Sequence, residues 1–157
     1  MLQEAYPEWP KPVVRPACAA DIPLLVELCE EGIKHCGLPE TELDREVLAR
    51  NLVLMLASPD HCIRLFGTSG YGHAFVGWNL HAPTKIVYVP HLYVRPGTRS
   101  LAVFDQFLAE FAAFTRDRGA TSMVGCTMNG IVSPAYDRLW ARHGFRVTGT
   151  LYERYPL

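Results

Sequence analysis

The chain has 157 residues and a mass of 17.6 kDa, which is the size of one domain. Apolar residues make up 49% of it, enough for a packed core, and this excludes an intrinsically disordered chain. The 15 basic and 16 acidic residues give a formal net charge of -1, so no overall charge attracts nucleic acid or an anionic membrane. We therefore expect a single domain over residues 1–157, with neither nucleic acid nor membrane among its partners.

Three features favour a cytoplasmic protein. No segment approaches the ~18 apolar residues that a transmembrane helix needs. The first residues lack the basic and apolar blocks of a signal peptide. The five cysteines are odd in number and scattered, which fits free thiols in a reducing compartment better than a disulfide framework.

The predicted elements begin after an extended N-terminal arm over residues 1–12. A short β-branched strand follows at residues 13–15, and Asp21 provides a cap for a first helix that stops at Gly37. A second helix is predicted with Thr41 as its cap. Its apolar residues repeat at helical spacing: Leu43, Val47, Leu48, Leu52 and Met55.

From residue 62 the pattern changes to strands. Residues 62–66 and 73–80 are rich in strand-forming residues and flank a glycine-rich connection at residues 67–72. A third run, at residues 85–94, is rich in Ile, Val and Tyr. The three runs predict an antiparallel meander.

The C-terminal half alternates helices and strands. The clearest helix of the chain carries a phenylalanine-rich stripe and stops at Gly119, and a strand of small residues follows at 120–128. We expect this strand-helix-strand unit to cross over right-handed and to place residues 85–94 beside 120–128. A helix over residues 133–143 and a strand over residues 145–155 complete the chain.

These elements predict an α+β fold. It has a mixed, mostly antiparallel central sheet with helices on both faces, in the order β-α-α-β-β-β-α-β-α-β. The sequence contains no Walker, Rossmann or nucleophile-elbow motif. Its adjacent His-Cys pairs lack the spacing of a zinc site, so no metal is expected.

The connection after the third meander strand carries the first chemical signal. Residues 91–104 read as strand, loop and helix start, and a helix N-terminus presents unpaired N–H groups that suit a phosphate. Arg99 stands where it adds a charge-assisted contact, and Ser100 is placed to cap the helix. An ordinary strand-to-helix connection explains the same local pattern and is the commoner case.

Two segments carry a family resemblance. One is Leu92-Tyr93-Val94-Arg95-Pro96-Gly97-Thr98-Arg99 and the other is Arg138-Leu139-Trp140-Ala141-Arg142-His143-Gly144-Phe145. Together with the Ala20-Asp21-Ile22 helix start, their order and spacing resemble the GNAT superfamily of acetyl-CoA-dependent N-acyltransferases over nearly the whole chain. The first segment is similar to the family's fourth strand and pyrophosphate loop, and the second to its penultimate helix and closing Gly-Phe.

The resemblance implies that acetyl-CoA is a co-substrate. N–H groups at the start of the phenylalanine-rich helix would hold its diphosphate. The peptide groups of Tyr93 and Val94 would pair with its pantetheine and polarise the thioester. The implied cofactor-binding residues are Leu92, Tyr93, Val94, Arg99, Ser100, Leu101, Ala102, Val103, Phe104, Asn129 and Ser133.

The chain departs from the family pattern at three positions. The loop usually reads Arg/Gln-x-x-Gly-x-Gly/Ala, and here Ala102 and Phe104 replace its two small residues. The methyl of Ala102 is costly only at positive φ, and Phe104 either crowds the diphosphate or points into the core. Trp140 stands where the family often has a tyrosine as general acid. Tyr136, one turn earlier, is therefore the predicted acid.

An amine attacks in its neutral form, so a general base is expected. His91 lies just before the pyrophosphate loop, and the ordinary histidine pKa of about 6.5 suits the task. A strand histidine with structural hydrogen bonds is an equally good interpretation. Tyr88, His73 and His81 are weaker candidates.

Three other groups of residues carry weaker signals. Cys126, in the middle of a predicted strand, is interpreted as a buried structural thiol rather than an acyl carrier. A basic cluster forms either a solvated helix face or a contact for the 3′-phosphate: Arg138, Arg142, His143 and Arg146. Four residues could contact a cationic acceptor or could equally be ordinary surface residues: Glu30, Glu31, Tyr152 and Glu153.

The predicted function is that of an N-acetyltransferase, which moves an acetyl group from acetyl-CoA to a primary amine by direct attack. The acceptor is a small molecule or a peptide amine. One alternative is a degenerate protein of this fold with weak or no CoA binding, acting as an interaction or structural module. A second is an acyltransferase for longer acyl chains. Association as a homodimer through the N-terminal arm or the last strand stays open.

Overall fold

The computed structural model describes residues 13–35, 43–125 and 134–147. Its strands are β1 (Val14–Pro16), β2 (His61–Phe66), β3 (Gly70–Trp78), β4 (Lys85–Val94) and β5 (Ala120–Gly125). Its helices are α1 (Ile22–His35), α2 (Arg45–Ala57), α3 (Leu101–Asp117) and α4 (Pro134–Arg142). Within these ranges no helix combines the length and apolarity that crossing a membrane requires.

The strands form one sheet in the order β1-β2-β3-β4-β5. Strands β1 to β4 are antiparallel neighbours, and β5 lies parallel to β4. A parallel neighbour needs a crossover connection, which α3 supplies. The predicted α+β sheet with its meander is thereby confirmed. Of the predicted last strand, residues 145–147 are not in a strand, and the remainder lies outside the described residues.

The sheet separates two apolar clusters. Leu65 of β2 packs beneath α1 and α2, while the next residue, Phe66, packs against α3. Successive side chains of a strand point to opposite faces, so the sheet has an α1/α2 face and an α3 face. The phenylalanine stripe of α3 fills the second cluster, where Phe107 and Phe111 are both 0% exposed. Helices therefore cover both faces, as predicted.

The start of α2 differs from the prediction. Its cap is Asp44, whose Oδ1 accepts hydrogen bonds from the N–H groups of Glu46 (2.9 Å) and Val47 (3.0 Å). Thr41, the predicted cap, lies outside the described residues. Aspartate and threonine both serve as helix caps, and here the aspartate nearer the helix satisfies the first free N–H groups.

The hairpin between β2 and β3 is tighter than predicted. Its turn occupies residues 67–69, with Gly67 at a φ of 52°, and β3 already begins at Gly70. Gly72 lies in the strand, opposite Leu92. A Cβ atom at Gly72 would lie 2.8 Å from Phe111 Cζ and 2.9 Å from Phe107 Cδ1. The glycine therefore leaves room for two buried rings, and it does not mark a turn.

Replacing Gly72 with alanine is expected to reduce the free energy of unfolding by about 1–3 kcal/mol, because the new methyl group overfills the α3 face. The measurement is urea denaturation of the purified variant. Gly97→Ala is the matched control, since a Cβ atom there meets nothing within 4 Å. Equal stability of the two variants would contradict the packing described here.

Strand β4 contains one extra residue opposite β3. His73 pairs with His91, and Phe75 pairs with Tyr88, so two steps along β3 match three steps along β4. This is a β-bulge, and it includes Pro90, which has no N–H group for the ladder. Because the side-chain period of a strand is two, the extra residue brings Tyr88 and His91 onto the same face. That face is the α1/α2 face, since His73 lies two residues from Tyr71 of the α1/α2 cluster.

Candidate functional site

The second half of β4 has an open edge. The pairing of β4 with β5 ends at Val89 and Gly125 within the described residues. The N–H of Arg95 donates to the carbonyl oxygen of Ser69 (2.8 Å), on the β3 side. Because peptide groups alternate in direction along a strand, those of Tyr93 also face β3, whereas those of Leu92 and Val94 face the open edge. Of the two predicted pantetheine contacts, Val94 therefore has backbone groups that face the open edge and Tyr93 does not. The backbone groups of Leu92, which was also predicted to bind the cofactor, face the same edge as those of Val94.

The N-terminus of α3 lies directly after this edge. Ser100 caps the helix, since its Oγ accepts a hydrogen bond from the N–H of Val103 (3.2 Å). The N–H of Phe104 donates to the carbonyl oxygen of Ser100. Among the described residues, no partner is found for the N–H groups of Leu101 and Ala102. The N–H of Ser100 has no partner among these residues either, so three of the six N–H groups predicted to hold the diphosphate, from Arg99 to Phe104, are free, and they lie at the positive end of a 17-residue helix.

The altered loop residues do not obstruct this helix end. Ala102 lies within α3, and no described residue other than glycine has a positive φ, so its methyl group costs no backbone strain. Phe104 is 6% exposed and packs into the α3 cluster, edge-on to Trp140 with ring centres 5.2 Å apart. Trp140 is 9% exposed and lies over Gly125. Phe104 thus points into the core and leaves the helix end open.

Arg99 crosses the open edge of β4. Its Nε donates to the carbonyl oxygen of Val94 (2.7 Å), and its Nη2 lies 3.0 Å from Nε2 of His35 at the end of α1. The neighbouring Arg95 is held differently, by the carboxylates of Glu27 and Glu31 on α1. The hydrogen bond from Arg95 is the main cause of the lowered pKa of Glu31. One arginine therefore fixes α1 to the sheet, and the other occupies the edge where an added strand would pair.

His91 stands one residue before this edge, with an exposed side chain. Among the described residues it has no hydrogen-bond partner, and its ring stacks against that of His73. Desolvation by the surrounding protein lowers the pKa of His91, although the residue remains partly open to solvent. The imidazole is consequently neutral at pH 7, the state in which it accepts a proton.

Other predicted residues fall outside this site or outside the described residues. Asn129, Ser133 and Cys126 lie in undescribed segments, as do Tyr152 and Glu153, and the side chain of Tyr136 is likewise undescribed. His81 lies in the connection before β4, at the opposite end of that strand from Val94. In the basic cluster, His143 contacts the carboxylate of Asp105 (2.8 Å), and the other three members are exposed.

The sequence analysis did not predict most of a row of aromatic rings that lies beside His91. The Nδ1 of His61 lies 2.9 Å from Nε2 of His73, and the ring of His73 lies 6.1 Å from that of His91. Burial, with the nearby His91 and His61, lowers the pKa of His73 to about 3. Phe75 lies beside both His61 and His73. Only the strand register brings these rings together, and the bulge in β4 has no clear signal other than Pro90.

Solved structures share this architecture, although no family model and no curated protein matches the chain. A putative acetyltransferase from Arthrobacter sp. FB24 is 23% identical, covering 98% of this chain and 100% of that one, with a TM-score of 0.73. An integron cassette protein from the Cole Harbour Salt Marsh metagenome is 23% identical over 98% of this chain and 96% of that one, with a TM-score of 0.75.

A third solved structure contains a cofactor. It is a predicted acetyltransferase with acetyl-CoA from Clostridium acetobutylicum, 17% identical over 90% of this chain and 94% of that one, with a TM-score of 0.71. The sequence resemblance is thereby confirmed at the level of the fold. The chain has the fold of the GNAT acetyltransferases.

Proposed function

We propose that the protein is an N-acetyltransferase, which transfers the acetyl group of acetyl-CoA to a primary amine by direct attack. The observation that carries this proposal is the open edge of β4 next to the free N–H groups of Leu101 and Ala102. An extended amide chain ending in a diphosphate complements that pair of features. A similar solved structure that holds acetyl-CoA supports the same choice of co-substrate.

The residues present fit this ligand. The free donors of α3 suit a diphosphate, and a hydrogen bond to a charged group contributes about 1.5–3 kcal/mol. The outward-facing N–H and carbonyl groups of Leu92 and Val94 suit the amides of pantetheine. Arg99 now bonds to Val94, so its side chain has to leave that carbonyl oxygen for such pairing to occur. It then stands beside the helix end, where its positive charge favours an anion.

In the proposed reaction the acceptor arrives as an ammonium ion, which must lose a proton before it reacts. His91 is neutral at pH 7 and accepts that proton. The amine nitrogen forms a bond to the thioester carbonyl carbon, and the carbon–sulfur bond breaks. The nitrogen loses its second proton to solvent, and the thiolate takes a proton from solvent or from Tyr136, the predicted acid. The products are an amide and CoA, with one proton released overall.

The test of cofactor binding uses position 101, where proline removes one N–H group from the helix end. This is the first residue of α3, where proline is well tolerated, and Ser100 before it has the extended conformation that proline requires (φ -152°, ψ 161°). We expect Leu101→Pro to raise the Kd for acetyl-CoA roughly 10- to 100-fold by calorimetry, since a charge-assisted hydrogen bond is lost.

Leu101→Ala is the matched control, because it keeps the N–H group and removes only a side chain that is 52% exposed. Its Kd should stay within about twofold of the parent value, since a single exposed apolar side chain contributes little. An equal effect of both substitutions would show that the helix end does not hold the diphosphate. If acetyl-CoA does not bind at millimolar concentration, the proposed function is wrong, and the protein has this fold without binding the cofactor.

A further inference from the structure

The surface beside His91 is built in rows across three strands. On the α1/α2 face, the register aligns Leu65, Tyr71 and Tyr93 in one row, and Ile63, His73 and His91 in the next. A third row consists of His61, Phe75 and Tyr88. The first row lies beneath α1, where a Cβ atom at Gly32 would be only 3.3 Å from the Tyr93 ring. The third row lies farther along the sheet from α1.

Phe75, Tyr88 and His91 form a surface that we call the aromatic platform. The rings of Phe75 and Tyr88 are stacked, with centres 5.4 Å apart and planes inclined by 24°. Tyr88 also covers Gly77, where a Cβ atom would lie 2.8 Å from its Cε2. A glycine at this position therefore lets the tyrosine ring lie flat on the sheet. Both rings are only partly buried and His91 is exposed, so the platform presents aromatic surface to solvent next to the proposed base.

The platform carries no negative charge among the described residues. No hydrogen bond or ion pair joins a described carboxylate to its three side chains, and the buried His73 behind it is neutral at pH 7. Glu27 and Glu31 of α1 form ion pairs with Arg95, which directly follows β4. None of the three platform side chains is anionic, so a polyamine or a lysine-rich peptide gains no ion pair from the platform itself. A flat ring with one amino group fits the same surface.

We infer that the acceptor is a primary amine that carries an aromatic ring, such as an arylalkylamine, and that this ring stacks on Phe75 and Tyr88. This inference rests on the proposed acetyl transfer. Stacked aromatic pairs are favoured beyond the burial of their area, and an ammonium group is attracted to ring faces. The register of β4 places the amine of a ligand stacked on Tyr88 beside His91, one strand step from the open edge.

The first experiment compares two amines of nearly equal size, phenethylamine and its saturated analogue cyclohexylethylamine. Binding of each is measured by calorimetry, and acetyl transfer by release of free thiol from acetyl-CoA. We expect phenethylamine to bind and react about 10-fold better than the saturated analogue, because only the flat ring stacks. Spermidine and a lysine peptide complete the panel, and both should be poorer acceptors than phenethylamine.

The second experiment removes one ring of the platform. Tyr88→Leu should reduce the preference for phenethylamine about 3- to 10-fold, which is the range of one aromatic pair. The Kd for acetyl-CoA should not change. Trp78→Leu is the matched control, since Trp78 is an aromatic residue of β3 with 67% exposure and lies outside the platform. Its preference should equal that of the parent protein.

The outcomes separate this inference from the proposed function. Selective phenethylamine binding that Tyr88→Leu weakens supports the inference even if no acetyl transfer occurs, and in that case the proposed function fails. Acetyl transfer that favours spermidine or the lysine peptide supports the function and overturns the inference. A preference for phenethylamine that survives Tyr88→Leu overturns it as well, and so does the absence of phenethylamine binding at millimolar concentration.

Discussion

Replacing His91 with asparagine is expected to lower kcat for acetyl transfer by roughly 10²- to 10⁴-fold, the usual contribution of a general base. The expectation follows from the exposed, neutral imidazole one residue before the open edge of β4. Asparagine keeps a polar side chain of similar length and accepts no proton at neutral pH. The Kd for acetyl-CoA should stay constant, because the proposed diphosphate donors belong to α3. Steady-state kinetics with thiol detection measures kcat, and calorimetry measures the Kd.

The pH profile provides the second readout for His91. Burial lowers the pKa of His91 below its ordinary value, so the parent enzyme should keep its rate at neutral pH. The rate should fall only as acidification protonates the ring below about pH 6.5. This acid limb should disappear in His91→Asn. His81→Asn is the matched control, since His81 lies at the other end of β4. A variant at position 91 with the parent's rate and pH profile would exclude the histidine as the base.

Acidification is expected to destabilise the fold through His73 by about 5 kcal/mol over the whole interval between its two pKa values. His73 is 7% exposed, and its pKa in the folded protein is lowered to about 3. In the unfolded chain the same group has a pKa of about 6.5. The stabilisation is therefore complete above pH 6.5 and is lost progressively as the pH falls, because only the unfolded state binds the proton.

Urea denaturation between about pH 4.5 and 6.5 isolates this effect, since most carboxylates stay ionised there. Through His73, the free energy of unfolding should fall by about 1.4 kcal/mol for each unit by which the pH is lowered. His73→Gln should lose that slope, whatever its absolute stability. The pKa of His91 is also lowered, and this residue contributes the same additional slope in the parent protein and in His73→Gln. Equal slopes in the parent and in His73→Gln would contradict a buried, neutral His73.

Most of the fold could be predicted from periodicity and turn residues. The phenylalanine stripe of α3 and the strand at Lys85–Val94 lie where the patterns place them. The errors arise where tertiary packing overrides a local signal. Leu43 fits the apolar period of α2 and yet precedes the helix, because Asp44 satisfies its first N–H groups. Gly72 has the composition of a turn, but it belongs to β3 because two phenylalanine rings occupy the space above it.

The candidate site could be predicted only in part. A local motif is enough to locate the start of α3, and the cap formed by Ser100 was predicted. Which peptide groups of β4 face outward depends on its pairing with β3. The sequence therefore could not predict that the backbone groups of Val94 face the open edge while those of Tyr93 face β3. The same holds for the platform, since Phe75 and Tyr88 are far apart in sequence and meet only through the sheet register.

The bulge in β4 makes the chemistry of this protein sensitive to the number of residues as well as to their identity. Deleting one residue near Pro90 would restore regular alternation and turn His91 towards the packed phenylalanines of α3. No substitution at position 91 itself would be needed to abolish the proposed base. Insertions and deletions are usually tolerated in loops, but here a single-residue length change inside a strand would separate His91 from the other two rings of the aromatic platform. Sequence comparisons among relatives should therefore align this strand by its length before they equate any histidine with His91.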